Sequence, residues 1–195
     1  YKDAFPVYAR MLYNGEGIPV DKEAAAHYYK LAANNGHVES MNSYAVMLSK
    51  GDGILSDKKK AAFYYKLAAD NGYPIAMNNY GCLLMSEKNP DKENEALKYF
   101  KMAADNDYQD GIYNYALNLS KRTGNPENKT EAAGLFKKNA DNGHVLSMLN
   151  YAIMLLEGDG IDRNLTESAK YIKMAADRGD SKAMYLYATL LIDIN

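Results

Sequence analysis

The sequence predicts an all-α solenoid of about five and a half helix-pair repeats, and three observations carry that prediction. The block Tyr28-Tyr29-Lys30-Leu31-Ala32-Ala33-Asn34-Asn35-Gly36 returns as Tyr64 to Gly72, Tyr99 to Asp107, Leu135 to Gly143 and Tyr171 to Gly179, in steps of 36, 35, 36 and 36 residues. A second segment, Tyr44-Ala45-Val46-Met47-Leu48, keeps the same beat at Tyr8, Tyr80, Tyr115, Tyr151 and Tyr187. Between the two segments the chain carries breakers of the type Gly51-Asp52-Gly53. A fixed period across all 195 residues points to one elongated domain, 1–195, in which each unit stacks on the next.

Each unit reads as two helices, A and B. In the second unit Met41, Tyr44, Ala45 and Leu48 fall at i, i+3, i+4 and i+7 and form one face of helix A. Gly51-Asp52-Gly53 then breaks the helix, because glycine accepts positive φ without a Cβ penalty. Ser56 or Asp57 is placed to cap helix B. Ala61, Tyr64, Tyr65, Ala68 and Ala69 make its apolar face, and Gly72 suits the left-handed position that ends it. The third and fourth units break this grammar. Their A–B turns read Glu87-Lys88-Asn89-Pro90 and Thr123-Gly124-Asn125-Pro126, and Asp107 stands where the other B helices end in Gly. Proline does not fit a helix interior, so these two turns are expected to differ from the rest. The last helix, near Ser181 to Ile192, is an A helix with no B helix after it, and Tyr1 aligns with His37 and Tyr73. The expectation is therefore a piece of a longer array whose final helix, with Leu186, Leu190, Leu191, Ile192 and Ile194, makes a poor polar cap.

Composition narrows the function classes. With 23 Lys and Arg against 25 Asp and Glu, the net charge is -2, which argues against a nucleic-acid binder. No apolar run reaches the roughly 18 residues needed to span a bilayer. One cysteine, Cys82, excludes intrachain disulfide staples and a Cys-based zinc site. A cytoplasmic setting follows as the expectation, with the ER lumen as its alternative. Tyr is abundant at 18 while Trp is absent, and the repeat places those tyrosines in the core.

At the level of motif, Ala76-Met77-x-x-Tyr80-Gly81-x-x-Leu84, the Gly-x-Gly-Ile turns at Gly51 and Gly158, and the block Lys60 to Gly72 resemble the SEL-one-like repeat, a relative of the tetratricopeptide repeat. The resemblance covers essentially the whole chain. It implies a right-handed superhelix with the A helices lining a concave groove, and adaptor or scaffold roles in assembling protein complexes. Secreted bacterial members with a disulfide in every repeat are set apart by the single Cys82.

No catalytic set, cofactor motif or metal-ligand spacing is present, so an enzyme, a cofactor and a metal are not expected. His37 and His144 fall just after the Asn-Gly that ends a B helix, a repeat position on a turn. Lys58-Lys59-Lys60 opens a B helix as a solvated face. By similarity with tetratricopeptide arrays, the A-helix positions off the core should face the groove. These are Glu39, Asn42, Ser43 and Val46; Ile75, Asn78, Asn79 and Cys82; Asp110, Tyr113, Asn114 and Leu117; Leu146, Leu149, Asn150 and Ile153; Lys182, Tyr185, Leu186 and Thr189. Among them Asn79, Asn114 and Asn150 recur at one phase, an amide ladder that could read a peptide backbone or, as the rival reading, tie neighbouring repeats together. Apolar side chains gather toward the C-terminal half: Tyr113, Leu117, Leu149, Ile153 and Tyr185. The expected partner is a protein or peptide held in the groove. Acidic residues at the A–B turns, Glu16, Asp52, Glu87 and Asp159, favour a partner segment with basic residues. The alternative is a substrate-receptor or regulatory subunit of an enzyme complex, such as an ER-associated ubiquitin ligase adaptor. It would use the sequons at Asn118, Asn128 and Asn164, although Asn128 and Asn164 also sit where a helix-B cap belongs.

Overall fold

The structure, a computed structural model, describes residues 4–122 and 124–193, with side chains described as far as Leu190. Tyr1, Thr123, Ile194 and Asn195, and the side chains of Leu191 and Ile192, lie outside the described residues. The described residues form eleven α-helices and no strand. They are α1 (Phe5–Asn14), α2 (Lys22–Asn34), α3 (Val38–Lys50), α4 (Lys58–Asp70), α5 (Pro74–Met85), α6 (Pro90–Asp105), α7 (Gln109–Lys121), α8 (Pro126–Asp141), α9 (Val145–Glu157), α10 (Leu165–Ala176) and α11 (Ser181–Asp193). Odd-numbered helices are A helices and even-numbered ones are B helices. The chain divides into two compact units, residues 1–103 and 104–195, each a stack of antiparallel helix pairs.

The caps explain where helices begin. Asp21, Asp57 and Asn164 sit in extended backbone, and each side chain accepts the amide of the residue three further on, at 2.9, 3.0 and 3.0 Å. Of the two candidates before α4 it is Asp57 that caps, while the Ser56 hydroxyl donates to the Ser49 carbonyl. Asn128 is not a cap. Pro126 starts α8 early, Asn125 caps it by accepting from Glu127, and Asn128 falls inside the helix.

The A–B turns separate as expected. The glycine pairs Gly15/Gly17, Gly51/Gly53 and Gly158/Gly160 share φ values of 71–76°. In the third unit α5 ends on right-handed Ser86, and Lys88 takes φ 51°. In the fourth, Arg122 is extended and Gly124 takes φ 98°. Pro90 and Pro126 are the first residues of α6 and α8, where the absent N–H has no helical role. Both helices run to 16 residues, against 13 in α2 and α4, so a shorter turn is exchanged for nearly one more turn of helix B.

Within unit one the interior is built from small residues and tyrosines. Ala9, Ala25, Ala45, Ala61 and Ala68 are fully buried and let the helices approach closely. The tyrosine of each A helix meets a tyrosine of its B helix edge to face: Tyr8 with Tyr28, Tyr44 with Tyr64 and Tyr80 with Tyr99, with centroids 4.7–5.0 Å apart. Tyr80 also donates its hydroxyl to Glu95 at 3.1 Å. On the outer face Tyr99 donates to Asp70 at 2.9 Å, and Lys66 pairs with the same carboxylate at 2.6 Å.

Unit two repeats the scheme. Tyr151 meets Tyr171 at 4.9 Å, while Tyr115 and Tyr151 each donate to a helix-B glutamate, Glu131 and Glu167, at 3.3 Å. Burial pushes the Tyr151 phenol up to about 12. Asp141 receives the Tyr171 hydroxyl and Lys137, and those two donors, Tyr171 first, hold its carboxyl below the usual carboxylate range. A carboxyl with a lowered native pKa stabilises the fold above its unfolded value, near 4, and loses that contribution as pH falls through the native value. Wild type should therefore lose melting temperature between about pH 5 and pH 2, and Asp141→Asn should lose less of it across that window. Thermal melts at fixed ionic strength check this, and equal acid sensitivity of the two proteins would refute it.

Candidate functional site

The A helices of unit one present a face that is polar and indented. A cavity of about 330 Å³ is lined by Pro6, Val7, Arg10, Tyr29, Ser40 and Ser43. A second, of about 150 Å³, shares Tyr29 and Ser43 and adds Tyr13, Asn42, Val46 and Met47. A third, of about 350 Å³, brings Asn79 and Cys82 together with Ser49, Tyr65, Leu83 and Ser86. Tyr29 and Tyr65 reach these cavities from B helices, a contribution that the A-helix pattern alone did not reveal. Burial raises both phenols, Tyr65 to about 12, so each is a protonated hydroxyl at neutral pH. In the third to fifth repeats the same position holds Phe100, Phe136 and Ile172, without a hydroxyl.

Of the residues assigned to this face, Ser43 and Val46 are half-buried and Cys82 is exposed. Asn42 and Asn78 are buried, at 8% and 6% exposure. The reason is packing between repeats: the Asn79 amide donates to the Asn42 carbonyl oxygen at 3.0 Å, tying α5 to α3. In unit two Tyr113, Asn114, Leu117, Asn150 and Ile153 are half-buried, Tyr185 and Thr189 are exposed, and Leu149 is buried at 4%. The Asn150 amide donates back to the Leu146 carbonyl at 2.8 Å. The asparagine phase therefore does not present a uniform row of open amides. Asn79 bridges helices, and Asn150 bonds within its own helix. The apolar cluster of unit two is accessible through Tyr113, Leu117, Leu146, Ile153 and Tyr185, with Leu146 and Tyr185 47% and 73% exposed.

Two of the three histidines, His37 and His144, are helix caps. His37 and His144 accept the amides of Ser40 and Ser147 at Nδ1, each at 3.2 Å, and the same serine hydroxyls lie 2.9 Å from those nitrogens. With Nδ1 an acceptor, the ring proton belongs to Nε2, which in His144 lies 3.5 Å from Asp110. Ser147, His144 and Asp110 thus stand in the order of a hydrolytic triad. However, Ser147 is 0% exposed and its Oγ also accepts from Asn139, so no substrate can reach the hydroxyl. Asn139 itself is wholly buried and donates to the Gln109 carbonyl, so this network joins α7, α8 and α9. Among the described residues no group of three His, Cys, Asp or Glu is arranged to hold a metal.

The turn carboxylates are engaged within the protein. Asp52 pairs with Lys22 at 2.8 Å and accepts the Tyr13 hydroxyl at 2.7 Å, and Asp159 pairs with Lys129 at 2.6 Å. Lys22, then Tyr13, hold the Asp52 carboxyl below its ordinary range. Two of the four carboxylates of the expected acidic edge, Asp52 and Asp159, are thus neutralised by lysines of the preceding B helix, and Glu16 lies 3.5 Å from Arg10 of its own helix. The shared separation of 30 residues, read from the sequence, could have revealed the pairing. Among the sequons, the Asn164 side chain is occupied as a cap and the Asn118 amide donates to the Asn114 carbonyl.

The profile of the Sel1 repeat matches residues 7–37, 38–73, 74–108, 109–144 and 145–180, so each match spans one A–B pair of the fold. The chain belongs to the Sel1 repeat family. Proteins built of Sel1 repeats are generally scaffolds for protein interaction. Comparison with curated protein sequences gave no significant match. Among solved structures, a protective antigen present in uropathogenic Escherichia coli strains, which displays an SLR fold, is 25% identical with a TM-score of 0.89. The match covers 98% of this Sel1 chain and 41% of that one, so the present chain spans about two fifths of the antigen's length. A Sel1 repeat protein from Oxalobacter formigenes is 21% identical, with a TM-score of 0.85 over 96% of this chain and 75% of its own. An immunity protein from Pseudomonas aeruginosa shares the fold at 18% identity and a TM-score of 0.59, over 94% of this chain and 67% of its own. Among the described residues no helix is long and apolar enough to cross a membrane.

Proposed function

We propose that this Sel1 chain is a non-catalytic protein-binding module that receives a peptide or a partner helix on its A-helix faces. The observation that carries the reading is the exposure of large apolar side chains on those faces. Val7 in unit one, and Leu146 and Tyr185 in unit two, are 47–73% exposed beside half-buried Val46, Leu117 and Ile153. Apolar side chains accessible at helical spacing are anchors for a partner's own apolar residues. The cavities of unit one add protonated Tyr29 and Tyr65 hydroxyls and the Arg10 guanidinium, which suit polar groups of an extended segment. Charge has a secondary part, because Asp52 and Asp159 are already paired with lysines. Asn42, Asn78 and Leu149 belong to the packing behind the face.

A partner obtained by affinity capture and mapped by crosslinking tests this. Val46→Glu or Ile153→Glu should weaken its binding by tenfold or more, about 1.4 kcal/mol. Phe63→Glu, on an exposed B-helix position, should leave binding unchanged. A partner indifferent to both groove changes would refute the proposal.

A further inference from the structure

Lys22, Asp52 and Tyr13 form a closed set that joins the first two repeats. The Lys22 ammonium lies 2.8 Å from Asp52, and the Tyr13 hydroxyl donates to the same carboxylate at 2.7 Å. Each position has a counterpart 36 residues further on. Lys22 becomes Lys58 and Tyr13 becomes Ser49, so an ammonium and a hydroxyl are kept, but Asp52 becomes Lys88. The turn that would return the acid is also built differently, without the glycine pair and with α5 ending on Ser86. No other acid takes its place: among the described residues no carboxylate is paired with Lys58. Asp57, its neighbour in the chain, caps α4 and pairs with Lys60 at 3.1 Å. In unit two Lys129 has its partner, Asp159, so the unpaired lysine is a departure at one repeat.

The two donors that remain, Lys58 and Ser49, both line the cavity of about 350 Å³ on the A-helix face of unit one, and Tyr65 joins them there. The Tyr65 ring is 5% exposed, and its hydroxyl stays protonated at neutral pH. The lining thus offers one ammonium and the hydroxyls of Ser49 and Tyr65, and no carboxylate is among its residues. Ser86 is already committed, since its hydroxyl donates to the Leu83 carbonyl at 2.6 Å. Glu87 and Lys88, exposed beyond it, carry opposite charges. Lys58 is exposed as well, so water serves its ammonium in the free protein. What the cavity has is a donor set without its acceptor.

We propose that this cavity binds the carboxylate of an aspartate or glutamate side chain on the partner, which takes the part that Asp52 plays for Lys22. The proposal rests on the reading of the A-helix faces as a protein-binding surface and specifies one residue of the segment received there. The carboxylate accepts from the Lys58 ammonium and from the Ser49 and Tyr65 hydroxyls. A single cation suits a single negative charge, whereas a phosphate at neutral pH carries close to two. The partner's charge at this point is opposite to the one that the turn carboxylates suggest, because Asp52 and Asp159 already hold lysines of the protein itself.

The test selects binders to the intact chain from a library of random peptides fused at their C-termini, so that side chains are the only source of carboxylates. The selected peptides should share an acidic residue, and a synthetic copy with an amidated end should bind saturably in calorimetry. Changing that acid to its amide, or Lys58→Met in the chain, should each weaken binding about three- to tenfold. Combining the two should cost no more than either alone, since they remove one interaction. Lys58→Arg should keep the affinity. Tyr65→Phe, which copies the ring found at Phe100 one repeat later, should weaken binding about two- to tenfold. Lys59→Met removes the same charge from the next residue and should leave binding unchanged; equal losses from Lys58→Met and Lys59→Met would overturn the proposal in favour of diffuse attraction. Peptides without a shared acid, or binding that ignores Lys58→Met and is lost through Val46→Glu, overturn it while the A-helix reading stands. Failure to select any peptide, or peptides indifferent to both changes, overturns both. A peptide that binds only with its own C-terminus free also overturns it, in favour of a terminal carboxylate.

Discussion

Replacing Gly160 by alanine is expected to destabilise the protein by roughly 3 kcal/mol. Two effects act together. Gly160 has φ 76°, a left-handed conformation that costs an alanine about 1–2 kcal/mol. A Cβ there would also lie 2.6 Å from the Lys129 Cβ and 2.7 Å from the Lys129 backbone carbon, at the start of the preceding B helix. Backbone at that distance cannot move aside as a side-chain tip would, so overpacking adds about 1–3 kcal/mol. The turn is held there from both sides, because Lys129 pairs with Asp159 and the Thr130 hydroxyl donates to the Gly160 carbonyl. Gly53→Ala should behave alike, with the Lys22 Cβ at 2.4 Å. Gly17 supplies the control: its φ is 75° and nothing lies within 4 Å, so Gly17→Ala should cost only the conformational part, about 1 kcal/mol. Urea unfolding of the three variants separates the two contributions. Equal losses in all three would show that the second glycine of the turn serves conformation alone and not inter-repeat contact.

Phe136→Ala should cost about 3–5 kcal/mol. The ring is 1% exposed in α8 and lies against Tyr113 of α7, centroids 6.0 Å apart. Truncation leaves a cavity beside Tyr113 under the A-helix face of unit two, and the Tyr113 ring is itself held against His144, centroids 5.2 Å apart. Phe136→Leu keeps most of the volume and should cost about 1–2 kcal/mol. The alanine variant should also lose partner binding through Tyr113, in excess of the unfolded fraction. Unfolding midpoints read with an unchanged denaturant slope check the stability effect. A loss below 1 kcal/mol for alanine would mean that the ring is not a core element.

Most of the fold was legible because each determinant acts within one repeat. Glycine pairs with positive φ, Asp57 and Asn164 as caps, and Pro90 and Pro126 as helix starts all follow from residues within a few positions of one another. Even Asp107 keeps the left-handed conformation of the glycines it replaces, with φ 54°, since aspartate tolerates it better than most residues. The site was less legible because the groove and the seam between repeats are adjacent strips of the same helix. Asn42 and Asn79 differ by one repeat plus one residue, enough to turn Asn42 toward the seam, where it accepts the Asn79 amide. Leu149 and Ile153 lie on one helix, yet one is sealed and the other accessible. Which strip a residue occupies depends on how far the neighbouring helix leans over it, and no single-repeat pattern contains that quantity. Tyr29 and Tyr65 were missed for the complementary reason: they reach the A-helix face from B helices, where they read as core.

The third repeat departs from its neighbours in ways that concern how the array comes apart. Its A–B turn lacks the glycine pair, and the two non-glycine residues with positive φ among those described, Lys88 and Asp107, flank its B helix. Each strained backbone position withholds about 1 kcal/mol or more from the repeat that contains it. In a linear array, stability is a sum of unit terms and nearest-neighbour couplings. A deficit in an interior unit does more than one at an end, because opening it severs both couplings at once. The third repeat is thus a built-in weak link, the point at which a protease or a chaperone would gain entry to the fold.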